Sequence, residues 1–288
     1  MNDATEPRAA EPSRATTGGW AEGLRTRTIY GALMAAIAGA GILLGDVAFA
    51  FLVAFCAAAM ASEWTRLSSA GRFGPPGWLA VVVPLACVAL AHLDRTVAAL
   101  ALAGAGAVVA LGMARAMERP APAWAAAGVL YVALPVVALV WLRGHDASGE
   151  RMILWLVLAV AASDTGAFFA GRLIGGPLLA PRISPKKTWA GLGGAVAASA
   201  CVGIAVSALD GLAPPAALLA LAGAVLAVVA QAGDLAESAF KRHFGAKDAS
   251  ALIPGHGGMM DRVDGLVAAA ACLAVFQWAS AGTVLSWR

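Results

Sequence analysis

The chain has 288 residues, 60% hydrophobic and 13% charged, with a formal net charge of +3. A soluble domain carries about 25% charged residues, so this balance, with a mean hydropathy of +0.78, excludes a soluble domain and predicts an integral membrane protein. The charge is too mild to imply nucleic acid as a partner. Cys56, Cys87, Cys201 and Cys272 stand singly in apolar runs, which argues against a zinc site or a disulfide framework.

Residues 1–27 are polar, with mixed charges and two prolines, and end in a basic flank, Arg25 and Arg27. They read as a disordered tail rather than a signal peptide. Nine apolar runs follow, near 28–44, 47–61, 78–93, 96–113, 123–142, 151–170, 190–208, 214–232 and 265–281. The first two fall short of the ~20 residues of a full crossing, so a tilted hairpin turning at Gly45-Asp46 is the alternative to two separate spans. The expectation is an all-α, polytopic integral membrane protein of about nine transmembrane helices, with 28–288 as one membrane domain.

Orientation follows from the basic residues of short loops. With the N-terminus in the cytoplasm, sixteen of the 20 Lys and Arg fall on the inner side, leaving only Arg95, Arg143, Arg151 and Arg288 outside. The polar segments 171–189 and 233–264 then both face the cytoplasm, and all four lysines of the chain lie in them.

The acids are few and placed in groups. Asp164 interrupts the run "MILWLVLAVAASDTGAFFAG", inside a membrane segment. An ionisable group at that depth is unfavourable unless paired or hydrated, which makes it a functional candidate. Asp234 and Glu237 stand in "QAGDLAES", at the end of the 214–232 run; Asp261 and Asp264 stand in "MMDRVDG", one helical turn apart. If their helices are neighbours, these acids meet at one membrane level, and a hard cation such as Mg²⁺ is held by a few carboxylates plus substrate phosphates.

Cations surround them. Arg182, Ser184, Lys186 and Lys187 lie in "APRISPKKTWAG", with a turn expected at Ser184-Pro185; Lys241, Arg242 and Arg262 add further positive charge. Carboxylates for a metal and bases for phosphate oxygens are the two parts of a phosphoryl or nucleotidyl transfer site. "PGHGG" predicts a glycine nest in which the Gly257 and Gly258 amides and His256 meet an anion at the start of the last helix. Residues 235–248 place Leu235, Ala239, Phe240 and Phe244 at helical spacing, which predicts an amphipathic helix on the membrane surface and hence a lipid substrate.

The stretch "SAFKRHFGAKDASALIPGHGGMMDRVD", 238–264, resembles the C-terminal signature of the phosphatidate cytidylyltransferases, the CDP-diacylglycerol synthases. "SDTGAFFAGRLIGG", "ISPKKTWAG" and "SEWTRL" resemble the same family, so the similarity runs over most of the chain from about residue 28. Two positions depart from it: Ala190 stands where an acid is frequent and Phe168 where Tyr is common. The resemblance implies a helical membrane enzyme of phospholipid biosynthesis in the cell inner membrane, acting on CTP and phosphatidate as a homodimer, with Mg²⁺ and room for a second cation. It implies that Asp234, Lys241, Asp261 and Asp264 are catalytic, and that Asp164, Asp234, Asp261 and Asp264 hold metal. Arg182, Ser184, Lys186, Lys187, Lys241, Arg242, His256, Gly257, Gly258 and Arg262 would hold phosphate.

Two alternatives stay open at this point. Another CTP-dependent lipid kinase or cytidylyltransferase would use the same parts, and an ion-coupled transporter would use Asp164 and Asp234. A CDP-alcohol phosphotransferase is disfavoured, because Asp264-Gly265 runs into "LVAAAA" where its motif requires Asp-Gly-x-x-Ala-Arg.

Overall fold

In lipid, every backbone polar group must find its partner within the protein, and long continuous apolar runs such as these do so as helices rather than as the alternating strands of a closed barrel. The computed structural model describes residues 17–144, 148–211, 213–282 and 285–287. Among them stand nine helices, each long and apolar enough to cross a membrane: α1 (Thr17–Leu43), α2 (Asp46–Ser68), α3 (Pro75–His92), α4 (Thr96–Ala116), α5 (Ala123–Gly144), α6 (Gly149–Leu173), α7 (Trp189–Leu209), α8 (Ala216–His243) and α9 (Met260–Ala279). Strands β1 (Leu178–Ala180) and β2 (Ser184–Thr188) form an antiparallel hairpin between α6 and α7. The fold is all-α and polytopic, as expected.

The helix bounds differ from the apolar runs at informative places. α1 and α2 are two separate helices turning at Gly45, whose φ of 101° suits glycine. α1 begins at Thr17, inside the stretch read as tail, although its apolar window opens only at Arg25; residues 1–16 lie outside the described residues. The amphipathic surface helix expected over 235–248 does not form. α8 runs unbroken to His243, and Phe240 is buried against Trp64 of α2 with ring centroids 3.8 Å apart. The apolar face read as membrane-seeking is instead packed inside the bundle.

Helices α2 to α5 pack as one group, α6 to α8 as another, and α9 joins them through α8 and α5. The second group is held by backbone contact: a Cβ added at Gly194 would lie 2.5 Å from the Gly166 oxygen. Helix ends meet in two sets. At one end Arg143 bridges Asp46 (2.8 Å) and Glu150 (3.3 Å), and Arg151 pairs with Asp210 (3.4 Å). At the other end lie the β-hairpin and the 244–259 loop.

Candidate active site

Helix α8 sets the stage. Gln231, Asp234, Glu237 and Lys241 follow one another three or four residues apart, with Ser238 one turn beyond Asp234, which gathers them on one stripe. The stripe faces α6 and α9. Gly233 lets α9 close in: a Cβ there would sit 2.8 Å from the Asp264 backbone carbonyl oxygen and 2.6 Å from the Ala268 Cβ. Asp164 of α6 accepts a hydrogen bond from Gln231 Nε2 (3.3 Å). The charges of Asp164, Asp234 and Asp264, on three different helices, act on one another, and those of Lys187 and Arg262 act on Asp164. The acids thus converge at one end of the bundle, as the sequence reading required.

The hairpin delivers one lysine to them. Alternate residues of a strand point to opposite sides. In β2 this leaves Lys186 exposed and turns Lys187 inward, where its Nζ contacts Asp234 Oδ2 (2.6 Å) and donates to the Gln231 carbonyl (3.3 Å). Thr188 ends the strand and caps α7, its hydroxyl accepting from the Gly191 amide (3.0 Å). The turn expected at Ser184-Pro185 lies instead at 181–183: both residues belong to β2, and Pro181 and Arg182 are the exposed residues of the turn.

Lys241 is the buried counterpart of Lys187. It is 8% exposed and pairs with Glu237 Oε2 (2.6 Å), one turn back on its own helix, and with Asp261 Oδ1 of α9. Glu237 is 1% exposed, and its Oε1 has no hydrogen-bond partner among the described residues. Asp261 is fully engaged. Its Oδ2 accepts from the amides of Ala249 (2.9 Å) and Gly258 (2.8 Å) while Oδ1 meets Lys241. Among the described residues, Asp264 Oδ1 takes the amide of the following residue, Gly265 (2.8 Å).

The glycine loop is built differently from the expectation. The amides of His256 and Gly257 turn back to the Ile253 carbonyl (2.9 and 3.2 Å), and that of Gly258 goes to Asp261. Met259 and Met260 donate to Glu63 of α2 (both 2.8 Å). The anions gathered at the start of α9 are therefore the protein's own carboxylates. Arg242, in the last turn of α8, donates to the Ala246 carbonyl of the following loop (2.7 Å). Beside the loop lies a cavity of about 610 Å³ whose charged and polar lining includes Arg27, Lys247, Asp248, His256 and Arg262.

Glu63 and Gln231 join the site without having been assigned to it from sequence, and Glu237, grouped there with the converging acids, had been given no role of its own. Glu63 is a lone acid just past the end of an apolar run, a position where an ordinary solvated acid also stands. Gln231 and Glu237 carry a clearer signal, since both fall on the stripe of Asp234 and Lys241.

The residues fit a divalent cation. Counted at full ionisation, Asp164, Asp234, Glu237, Asp261 and Asp264 carry five negative charges against three positive from Lys187, Lys241 and Arg262, leaving two. An unpartnered buried carboxylate oxygen stands among them. Among the described residues no group of three or more His, Cys, Asp or Glu side chains is gathered closely enough to hold a metal ion by itself.

Residues 25–279 match the model of the cytidylyltransferase family. The chain belongs to that family. It is thereby a nucleotidyl-transferring enzyme, and the transporter alternative is set aside. Among similar curated proteins, the phosphatidate cytidylyltransferase of Brucella suis is 39% identical over 264 residues, covering 88% of this chain and 93% of that protein. The phosphatidate cytidylyltransferase of Pseudomonas aeruginosa is 38% identical over 267 residues, covering 89% and 98%. The enzyme of the same name from Staphylococcus epidermidis is 40% identical over 136 residues, 47% of this chain and 52% of its own.

Proposed function

We propose that this cytidylyltransferase makes CDP-diacylglycerol and pyrophosphate from CTP and phosphatidate. An ionised phosphate oxygen of phosphatidate attacks the α-phosphorus of CTP, a new P–O bond forms, and the bond to the bridging oxygen breaks, its electron pair leaving with pyrophosphate. No general base is needed, because the attacking phosphate is already ionised.

The observation that carries this reading is the pair of lysines each held by acids on α8. An ammonium group has three N–H donors. Lys187 uses two on Asp234 and Gln231, and Lys241 two on Glu237 and Asp261. Each retains a donor for a phosphate oxygen at the level where the acids converge, and such charge-assisted bonds are short and strong. Held in place beforehand, they stabilise charge on the transferring group without reorganising. Arg262 and the neighbouring basic cavity, with Arg27, Lys247 and His256, suit the triphosphate. Arg182, Ser184 and Lys186, on the hairpin, suit the lipid headgroup as it enters from the membrane surface.

Asp164, Asp234 and Asp264 would hold Mg²⁺, with Asp261 acting beside them through Lys241; a second cation fits the free oxygen of Glu237. The cation would neutralise charge on the nucleotide phosphates and the leaving pyrophosphate. The basic asymmetry supports a cytoplasmic N-terminus and a site facing the cytoplasm from the inner membrane. The homodimer rests on the family resemblance.

The test uses purified protein in detergent with phosphatidate and CTP labelled on either the α- or the γ-phosphorus, with and without Mg²⁺. Cytidylyl transfer moves the α-label into lipid and leaves the γ-label in pyrophosphate. Transfer of the γ-label to lipid would instead identify a CTP-dependent kinase.

A further inference from the structure

Helix α9 carries Asp261, Arg262 and Asp264 in its first turns, so its position sets theirs. The first amides of a helix lack acceptors within it. Here the N-cap residue is Met259, whose side chain makes no cap hydrogen bond. The acceptor comes from another helix. Glu63, near the end of α2, receives the Met260 amide on Oε2 (2.8 Å) and, on Oε1, the Met259 amide (2.8 Å) and the Ser250 hydroxyl (2.6 Å).

Three features mark Glu63 as built for this contact. It is 4% exposed, and a buried carboxylate is strongly unfavourable unless hydrogen-bonded or paired. Its negative charge lies against the positive end of the α9 dipole. A Cβ at Gly258 would sit 2.7 Å from its Oε1, so the loop passes the carboxylate with no room for a side chain. The next residue, Trp64, stacks on Phe240 of α8 (3.8 Å) and lies 4.8 Å from Tyr131 of α5, centroid to centroid. Phe240 immediately precedes Lys241.

We infer that Glu63 is a positioning residue for nucleotidyl transfer: it fixes the start of α9 from α2 while Trp64 fixes α8, and the pair sets Lys241 against Asp261 and fixes the turn that carries Asp264. This role rests on the cytidylyl-transfer reading above. Gln is the discriminating substitution. It keeps the size of Glu63, but one of its two ends is an NH₂ group, so at least one amide at the start of α9 must face a donor.

The experiment compares wild type, Glu63→Gln and Ser250→Ala in detergent, with kcat expressed per folded, monodisperse protein and KM measured for CTP. A displaced first turn is expected to lower kcat by roughly tenfold to 100-fold in Glu63→Gln, in line with the cost of small misplacements, and to raise KM for CTP. KM does not depend on how much of the sample is active, so a role in stability alone would leave it unchanged. Ser250→Ala removes one donor and leaves the Glu63 carboxylate on both amides; it is expected to shift both constants the same way by less. If Glu63→Gln does not fold, Ser250→Ala decides, and wild-type constants there overturn the inference. So does an active wild type with Glu63→Gln unchanged in both constants. A folded wild type with no CTP-dependent transfer overturns the functional reading itself, and this role with it.

Discussion

Lys241 on α8 and Asp261 on α9 form an ion pair in which the same ammonium also holds the buried Glu237, so one cation serves two acids from two helices. Lys187 and Asp234 form the matching pair nearer the surface, with side chains 16% and 33% exposed. The two lysines look alike in sequence, but they differ in what their removal leaves behind.

Lys241→Met keeps most of the side-chain volume and leaves Glu237 and Asp261 without their cation. Stranding buried charge in this way costs about 3–5 kcal/mol, so the variant is expected to unfold at a clearly lower temperature as well as to lose activity. Lys187→Met breaks a partly exposed pair worth about 1 kcal/mol or less; it should keep nearly the wild-type Tm and lose turnover. Lys186→Met, on the exposed side of β2, should affect activity least. Thermal unfolding in detergent, set beside the labelled-CTP assay, checks all three, and equal loss of Tm in the two inner lysine variants would contradict the arrangement.

Gly194 lets α7 touch α6, where an added Cβ would meet the Ala170 Cβ at 2.3 Å and the Gly166 oxygen at 2.5 Å. Gly194→Val is expected to push the helices apart and destabilise by about 1–3 kcal/mol, as overpacking does. Since α6 carries Asp164, activity per folded molecule should fall too. The measurement is Tm and specific activity of the monodisperse fraction. Gly104, with open space at its Cβ position, is the control, and Gly104→Val should be tolerated.

Much of this was legible in the sequence because lipid simplifies the problem. A crossing needs a long apolar run, so the runs announce the helices, and an acid inside one stands out. The ends were less legible. α8 continues to His243 because Phe240 buries against Trp64, a contact between residues far apart in the chain; periodicity alone could not tell a face turned to the membrane surface from one turned to a neighbouring helix. The glycine loop misled for a related reason. Its amides do meet anions, but these are Asp261 and Glu63, and Glu63 lies 197 positions before Met260. Lys186 and Lys187, read alike in the sequence, differ in placement because their segment is a strand, in which neighbours point apart.

Orientation is open to direct measurement. Ser184 on the hairpin and Ala251 in the loop stand at the same end of the bundle as the acids. Single cysteines there, with Cys56, Cys87, Cys201 and Cys272 replaced, are expected to react with an impermeant thiol reagent only when the inner face is opened. Reaction in intact cells would reverse the proposed topology.

On the proposed function, the acids converging from α6, α8 and α9 serve a cation and the phosphates it binds. Asp264→Asn tests it most directly, because Asp264 lies beside Asp234 and Asp164 and makes its hydrogen bond through an oxygen that Asn retains. Asp210→Asn, at the opposite end of the bundle beside Arg151, is the control. The measurement is the initial rate of α-label transfer from CTP to phosphatidate across a Mg²⁺ titration, for folded protein. Asp264→Asn is expected to lose on the order of 100-fold or more in turnover, as removal of a major electrostatic element does, with the Mg²⁺ requirement shifted to higher concentration and Tm little changed, while Asp210→Asn behaves as wild type. A folded Asp264→Asn enzyme with wild-type turnover and an unshifted Mg²⁺ dependence would contradict the account.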